Sequence, residues 1–227
     1  MFHNRKVVAL VPIKEHSERV EGKNFRSFCG KPLYHHILHA LERTYAVDEV
    51  LVDTDSPRVM HEAPKVSSKT RVVERPAELR GDMVSVNRLI AHDLSVSDGD
   101  IYVQTHATNP LLKPATIAAA LKRFAEAEED HDSLFSANRF QSRFYDHEGA
   151  AMNHNPEELL RTQDLAPVYE ENSVLYVFTR GSFAKRNRRI GLEPVILETP
   201  PMESIDIDDE FKFRLAELLA MYSSAGA

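Results

Sequence analysis

Between residues 6 and 128 the chain repeatedly follows a short apolar run with a longer amphipathic one, and few architectures accept that rhythm. The short runs are Lys6 to Pro12, Glu49 to Asp53, Arg71 to Glu74 and Ile101 to Thr105. The helical patterns are Leu33 to Arg43, Pro57 to His61, Val84 to Leu94 and Pro114 to Glu128. Val7, Val8, Ala9, Leu10 and Val11 follow one another almost without a polar break, as in a strand covered on both faces. Ile117, Ala120, Leu121 and Phe124 form a single stripe, with Pro114 suited to the first turn of their helix. Strands and helices alternating in this way predict an α/β fold, a doubly wound and mostly parallel sheet with right-handed crossovers.

The rhythm changes after Ser133. Asp132 to Asn138 reads as a strand, whereas Arg139 to Val168 is polar, aromatic and irregular, an excursion from the main sheet. Within it, Arg143 to His147 and Ala150 to Asn153 straddle Glu148-Gly149 as a short hairpin would. Strand patterns return at Ser173 to Thr179 and Pro194 to Glu198, and a helix from Asp209 to about Tyr222 carries Phe211, Leu215, Leu218 and Leu219 as its expected inner stripe. With 227 residues, 42% of them hydrophobic, and no repeat or flexible linker, a single domain over 1–227 is expected.

A net charge of −7 argues against general nucleic-acid binding, which calls for a basic field. The single cysteine, Cys29, rules out an intrachain disulfide framework or a cysteine-rich zinc site, and points to a reducing, cytoplasmic setting. No signal-like h-region follows Met1, and no apolar run approaches the roughly 20 residues that span a bilayer. No nucleic acid and no membrane are expected as partners.

Open parallel sheets bind ligands outside the carboxyl ends of their strands. After the first strand comes Lys14-Glu-His-Ser-Glu-Arg-Val-Glu-Gly-Lys23-Asn24, where Lys14, Ser17, Arg19 and Lys23 can converge on phosphate with main-chain donors. It is not a P-loop, since Ser17 and Asn24 occupy positions that motif gives to glycine and to Ser or Thr, and an exposed charged turn would also account for it. Asp206 and Asp208 alternate in an extended Ser-Ile-Asp-Ile-Asp run, so both can face one way and hold a hard cation, although Asp208 or Asp209 could instead cap the last helix. Taken alone, Arg75 fits a surface ion pair with Glu74 or Glu78, and Asp53 or Asp55 could hold a loop or touch a ribose. His35 and His39 have helical spacing but lack the H-E-x-x-H pattern of zinc hydrolases.

The phosphate-type loop, with Gly30-Lys31-Pro32-Leu33 after it, is followed by Asp53-Thr54-Asp55, Arg75-Pro76-Ala77-Glu78-Leu79 and Thr108-Asn109-Pro110-Leu111. Then come Gln163-Asp164-Leu165 with Tyr169-Glu170-Glu171-Asn172, and Glu203-Ser204-Ile205-Asp206-Ile207-Asp208. In order and spacing these blocks, from about residue 7 to 219, resemble the sugar-activating cytidylyltransferases, the family of CMP-sialic acid synthetases. The resemblance implies a Rossmann-like nucleotidyltransferase fold and transfer of CMP from CTP to an acidic 2-keto-3-deoxy sugar, sialic acid-like, with release of pyrophosphate. It implies that Lys14, Ser17, Lys23 and Asn24 hold the triphosphate, with Lys14 and Lys23 as the catalytic cations, and that Arg75 and Ser85 meet the cytosine. His106, Thr108, Asn109, Arg143, Arg161 and Gln163 would serve the sugar, and Asp206 and Asp208 would bind Mg²⁺. The excursion would form a homodimer interface and lend residues to the neighbouring sugar pocket. The sequence departs from the family pattern at Lys14 and Leu112, where arginine is usual, at His106, where glutamine is usual, at Ser173, often glycine, and between Lys14 and Ser17, which lacks the usual glycines. A nucleotide-sugar binding protein with weak or no catalysis, or a nucleotidyltransferase for another base or sugar, therefore stays open beside the leading reading.

Overall fold

The computed structural model describes residues 2–17 and 19–225. Its main sheet has seven strands: β1 (Val7–Ile13), β4 (Glu49–Thr54), β5 (Thr70–Glu74), β6 (Ile101–Thr105), β7 (Ser133–Phe140), β8 (Val168–Phe178) and β9 (Pro194–Glu198). A two-stranded ribbon, β2 (Ser27–Phe28) with β3 (Lys31–Pro32), precedes the first helix. The helices are α1 (Leu33–Arg43), α2 (Pro57–Val66), α3 (Val86–Ser95), α4 (Pro114–Ala127), α5 (Arg180–Arg186) and α6 (Glu210–Ala225).

The sheet runs β5-β4-β1-β6-β8-β7-β9. Strands β5, β4, β1 and β6 are mutually parallel, β8 runs antiparallel between β6 and β7, and β9 is parallel to β7. This is the expected α/β sheet with one reversed strand. Successive side chains of a strand point to opposite faces, and β1 feeds two cores in this way. Val7, Ala9, Val11 and Ile13 pack with α1, α2 and α4, while Val8 and Leu10 pack with Ile90 and Leu94 of α3 and Phe183 of α5. The near-continuous apolar run is the direct consequence, because neither face of β1 meets water.

Two boundaries differ from the sequence reading. Helix α2 continues past His61 and through Pro64 to Val66. Proline there removes one N–H from the helix ladder, yet Val59 and Ala63 are buried against the sheet and hold the helix on course. Strands β7 and β8 reach out to a Phe140–Val168 pair, so the excursion leaves from the tip of two antiparallel neighbours. Its internal turn forms as expected, with a Tyr145–Ala151 bridge and Gly149 at φ 85°.

The inner face of α6 differs from the expected stripe. Phe213 and Ala216 are buried with Phe28, Leu33 and Ile207, whereas Phe211 and Leu218 of the expected stripe are 74% and 64% exposed. The start of the helix sets this rotation: the Asp209 side chain accepts from the N–H of Lys212, and its carbonyl accepts from that of Phe213. The Phe213 ring then meets Phe28 edge-on at 5.8 Å beneath the Arg26 guanidinium at 4.0 Å. Accordingly, Phe213→Ala should lower unfolding stability in urea by about 3 kcal/mol, while Phe211→Ala should change it by less than about 0.5 kcal/mol. Equal losses would restore the original stripe.

Candidate active site

The loops after β1, β5 and β6 meet at one edge of the sheet, and a cleft of about 450 Å³ opens there. Lys14, Ser17, Lys23, Asn24, Arg75, His106, Thr108, Asp206 and Asp208 line it, joined by Arg19, Ser173 and Arg189. Nine residues singled out from the sequence as site residues thus share one cavity, although they come from distant parts of the chain.

Gly22 makes the phosphate-type loop possible. Its φ of 58° turns the chain into a short 3₁₀ turn, Lys23–Phe25, and so directs Lys23 inward. The Lys23 ammonium, nearly buried, donates to the Ile207 carbonyl at 2.6 Å. Burial lowers its pKa from the usual lysine range, with the Asp206 and Asp208 charges opposing that shift. Asn24 anchors the other side of the loop by donating to the Lys14 carbonyl at 2.9 Å. Lys14 itself reaches Asp82 at 2.8 Å, and Arg19 pairs with Asp208 at 2.6 Å. The Asp55 carboxylate, one of the alternatives weighed above, holds the loop by accepting from the Glu15 N–H at 2.8 Å.

Arg75 makes no surface pair with Glu74 or Glu78. Its side chain is wholly buried, its Nε donates to the Asp53 carboxylate at 2.5 Å, and its Nη2 donates to the Asp53 carbonyl at 3.0 Å. Glu74 pairs with Arg80 instead. Asp53 therefore positions the arginine, leaving Nη1 of Arg75 buried without a protein acceptor in a residue that lines the cleft. The buried carboxyl of Asp93 on α3 stands behind this pair. Burial, and then the Asp53 charge, push its pKa well above the usual carboxylate range.

On the other side of the cleft, Asp206 and Asp208 flank Ile207, whose N–H donates to the Thr108 carbonyl at 2.9 Å and whose side chain is buried. Burial, followed in size by the opposing Thr108 hydrogen bond, leaves the Asp206 pKa raised, and its Oδ1 has no protein partner. Because Asp209 caps α6, Asp208 is free to face Arg19 and, at 3.5 Å, Lys212. An oxygen-only pair with an unpartnered buried oxygen suits a hard cation.

His106 lies in the wall, where burial, then Arg189 and Lys23, push its pKa down to about 3. It is a neutral imidazole at ordinary pH. Its neighbour Arg189 was not recognised in the sequence. Arg189 follows α5, which ends at Asn187 with φ 52°, and this left-handed turn brings the chain back over β6 and β8. Its position in the Arg-Asn-Arg-Arg run gave no signal separating it from surface charge.

Five sequence-derived site residues do not line the cleft. Ser85 caps α3, accepting from the Asn87 N–H at 3.3 Å, because the N-terminal N–H groups of a helix need an acceptor. Asn109 is fully buried and reaches the Ile205 carbonyl at 3.4 Å, supporting the cleft from behind. Arg143, Arg161 and Gln163 lie on the excursion: Arg143 donates to the Leu160 carbonyl, Arg161 pairs with Asp164 at 2.7 Å, and Gln163 is exposed. His35 and His39 show no metal-binding cluster; among the described residues the only group of three with metal-ligand types is Asp53, His92 and Asp93, where Arg75 already supplies the cation. Ser173, at φ 58°, occupies a backbone conformation that glycine adopts more readily, in line with the glycine common there in the resembling enzymes. No helix of the described residues is long and apolar enough to cross a membrane.

CMP-N,N'-diacetyllegionaminic acid synthase of Legionella pneumophila is 27% identical over 229 residues, covering 94% of this chain and 96% of that protein. Pseudaminic acid cytidylyltransferase of Campylobacter jejuni is 24% identical over 94% of this chain and 96% of its own length. A 3-deoxy-manno-octulosonate cytidylyltransferase of Geotalea uraniireducens is 30% identical over 53% of this chain, and that match spans 46% of its length. The chain likewise spans only 42% of a two-activity Helicobacter pylori protein, a pseudaminic acid cytidylyltransferase and UDP-2,4-diacetamido-2,4,6-trideoxy-beta-L-altropyranose hydrolase. In fold, the chain is similar to CMP:2-keto-3-deoxy-manno-octonic acid synthetase solved with CTP, with a TM-score of 0.66 at 16% identity over 97% of this chain and 99% of that one. The cytidylyltransferase family model matches residues 8–219, from β1 into α6 and through every loop that builds the cleft, and this chain belongs to that family.

Proposed function

We propose that this chain is a Mg²⁺-dependent transferase that joins CMP from CTP to an acidic 2-keto-3-deoxy sugar and releases pyrophosphate. The observation that carries the reading is the cleft itself: Lys14, Lys23 and Arg19 stand beside an acidic pair, with the unsatisfied Nη1 of Arg75 in the same wall. Relatives matched along nearly their whole length are named for legionaminic and pseudaminic acid, which supports an acidic sugar of the sialic acid kind as acceptor.

The residues divide the work by chemistry. Arg75, held from behind by Asp53, offers an N–H to the carbonyl of a pyrimidine. Lys14, Ser17, Lys23 and Asn24 cradle the triphosphate; Lys14 exchanges Asp82 for phosphate, and Lys23 meets departing pyrophosphate with a charge poorly compensated by water. The anomeric hydroxyl attacks the α-phosphorus in line, so positioning and charge stabilisation supply the acceleration and no protein nucleophile is required. Asp206 and Asp208 would hold the metal, which would supply positive charge to stabilise the phosphates and activate the attacking hydroxyl. His106, uncharged, offers hydrogen bonding on the acceptor side without adding charge.

The excursion supports a homodimer as the working form. It exposes Phe140, Tyr145, Met152 and Leu159, the groups an interface buries, and carries Arg143, Arg161 and Gln163 away from their own cleft. Two-fold pairing would present them to the partner's acceptor site. The cytoplasm, where CTP is made, fits this chemistry.

Pyrophosphate release with CTP and Mg²⁺ against a panel of eight- and nine-carbon keto-deoxy acids tests the activity. Turnover with at least one acid is expected, and none with the panel would overturn the reading. Asp206→Asn and Asp208→Asn should each lower turnover by roughly two orders of magnitude, the scale of losing one electrostatic stabiliser, with urea unfolding midpoints little changed. Full Mg²⁺-dependent turnover in both variants would remove the acidic pair from the chemistry. Sedimentation at micromolar concentration should give a dimer; a fully active monomer would eliminate the shared pocket.

A further inference from the structure

Arg189 is more tightly organised than a surface arginine needs to be. Its side chain is 17% exposed; Nη1 donates to Gln104 Oε1 at 2.7 Å, and Nη2 donates to the Tyr176 hydroxyl at 2.8 Å. The guanidinium carbon lies 3.6 Å from the centre of the Tyr176 ring, which fixes its plane. Its main-chain N–H donates to the Asn87 side chain at 3.3 Å, so the loop that carries it is held against α3. Four contacts to three elements, β6, β8 and α3, immobilise one cation that lines the cleft.

Its remaining partners are weak. Glu171 and His106 stand at 3.4 Å from Nη2 and Nη1, near the outer limit of a hydrogen bond. The Glu171 carboxylate also accepts the Tyr176 hydroxyl, so its charge is shared, and His106 is neutral. Three of the five guanidinium N–H groups can therefore turn to an incoming anion without leaving a buried acceptor unsatisfied.

Sheet order says which anion. The cleft is bounded at one end by Arg75, anchored on β4, then crosses the β1 loop with Lys14 and Lys23, then His106 and Thr108 after β6, and ends at Arg189, anchored on β6 and β8. Neighbouring strands lie about 4.8 Å apart, so three steps separate the ends by roughly 14 Å. A nucleotide with its base at Arg75 and its phosphates over β1 leaves the β6 and β8 end for the acceptor. Within the same chain, by contrast, Arg143 and Arg161 are turned to partners on the excursion and not to this end of the cleft.

We propose that Arg189 takes the carboxylate of the acceptor sugar and makes this site selective for keto-acid sugars; the inference rests on the cytidylyl-transfer reading given above. A planar fork held in register matches a carboxylate with two donors, and a site built around that pair discriminates against an acceptor whose carboxylate is replaced by an uncharged amide.

The test compares the best keto-deoxy acid of the panel with its C1 carboxamide, in the full chain and in Arg189→Met and Arg189→Lys. The wild type should favour the acid in kcat/KM. In Arg189→Met the acid should lose on the order of 10- to 100-fold and the amide less than about 3-fold, so the preference collapses, with Arg189→Lys between. Affinity for CTP, measured by titration calorimetry, should stay within about 2-fold in both variants and shows that they fold. Equal losses on acid and amide would make Arg189 only a prop for Tyr176 and Gln104 and overturn the proposal. So would an unchanged preference, which would assign the carboxylate to another cation. A wild type that turns over neither compound would instead overturn the parent reading.

Discussion

A buried lysine ties the two ends of the chain together. Lys23 lies in the first loop and Ile207 near the last helix, 184 residues apart in sequence, and the ammonium–carbonyl contact between them occurs where water is largely excluded. A charge there is costly unless it is compensated, and the compensation comes from Asp206 and Asp208 on either side of the accepting carbonyl. Around this contact Arg19 reaches Asp208, Arg26 reaches Glu210, and the Ile207 N–H joins the Thr108 carbonyl. The cleft exists because these ties hold the first loop, the β6 loop and the start of α6 against one edge of the sheet.

That arrangement also explains which features could be read from the sequence. The double-faced burial of β1 leaves a nearly unbroken apolar run, and the four alternating units follow from the same requirement that every central strand be covered twice. Lys23, Asp206 and Asp208 were legible because unusual local patterns carry them: a basic loop after a buried strand, and acids alternating with isoleucines. The blocks resembling a known family added Arg75, whose depth no local pattern revealed, since its partner Asp53 comes from a neighbouring strand.

The failures have the opposite cause. The apolar stripe of α6 offered two faces, and only a tertiary detail, the Asp209 cap with Arg26 lying over Phe213, decides between them. Arg189 sits among other arginines and acquires its surroundings from β6, β8 and α3 at once. Ser85 and Asn109 satisfy backbone groups instead of facing the cavity, a choice set by where helix and loop ends fall. Polar residues at element ends serve ligand or backbone with equal ease, and sequence does not distinguish the two.

The burial of Asp93 beside the Asp53–Arg75 pair bears on how any ligand enters. Asp53 and Arg75 pair, and burial disfavours the charged form of Asp93, so the charge at this end of the cleft is largely offset although four ionisable groups, His92 among them, meet there. The middle, with Lys14, Arg19 and Lys23, is cationic, balanced in part by the acids opposite. The cavity therefore presents a dipolar profile along its length, and a molecule with one uncharged end and one anionic end has a single favourable orientation before any specific hydrogen bond forms.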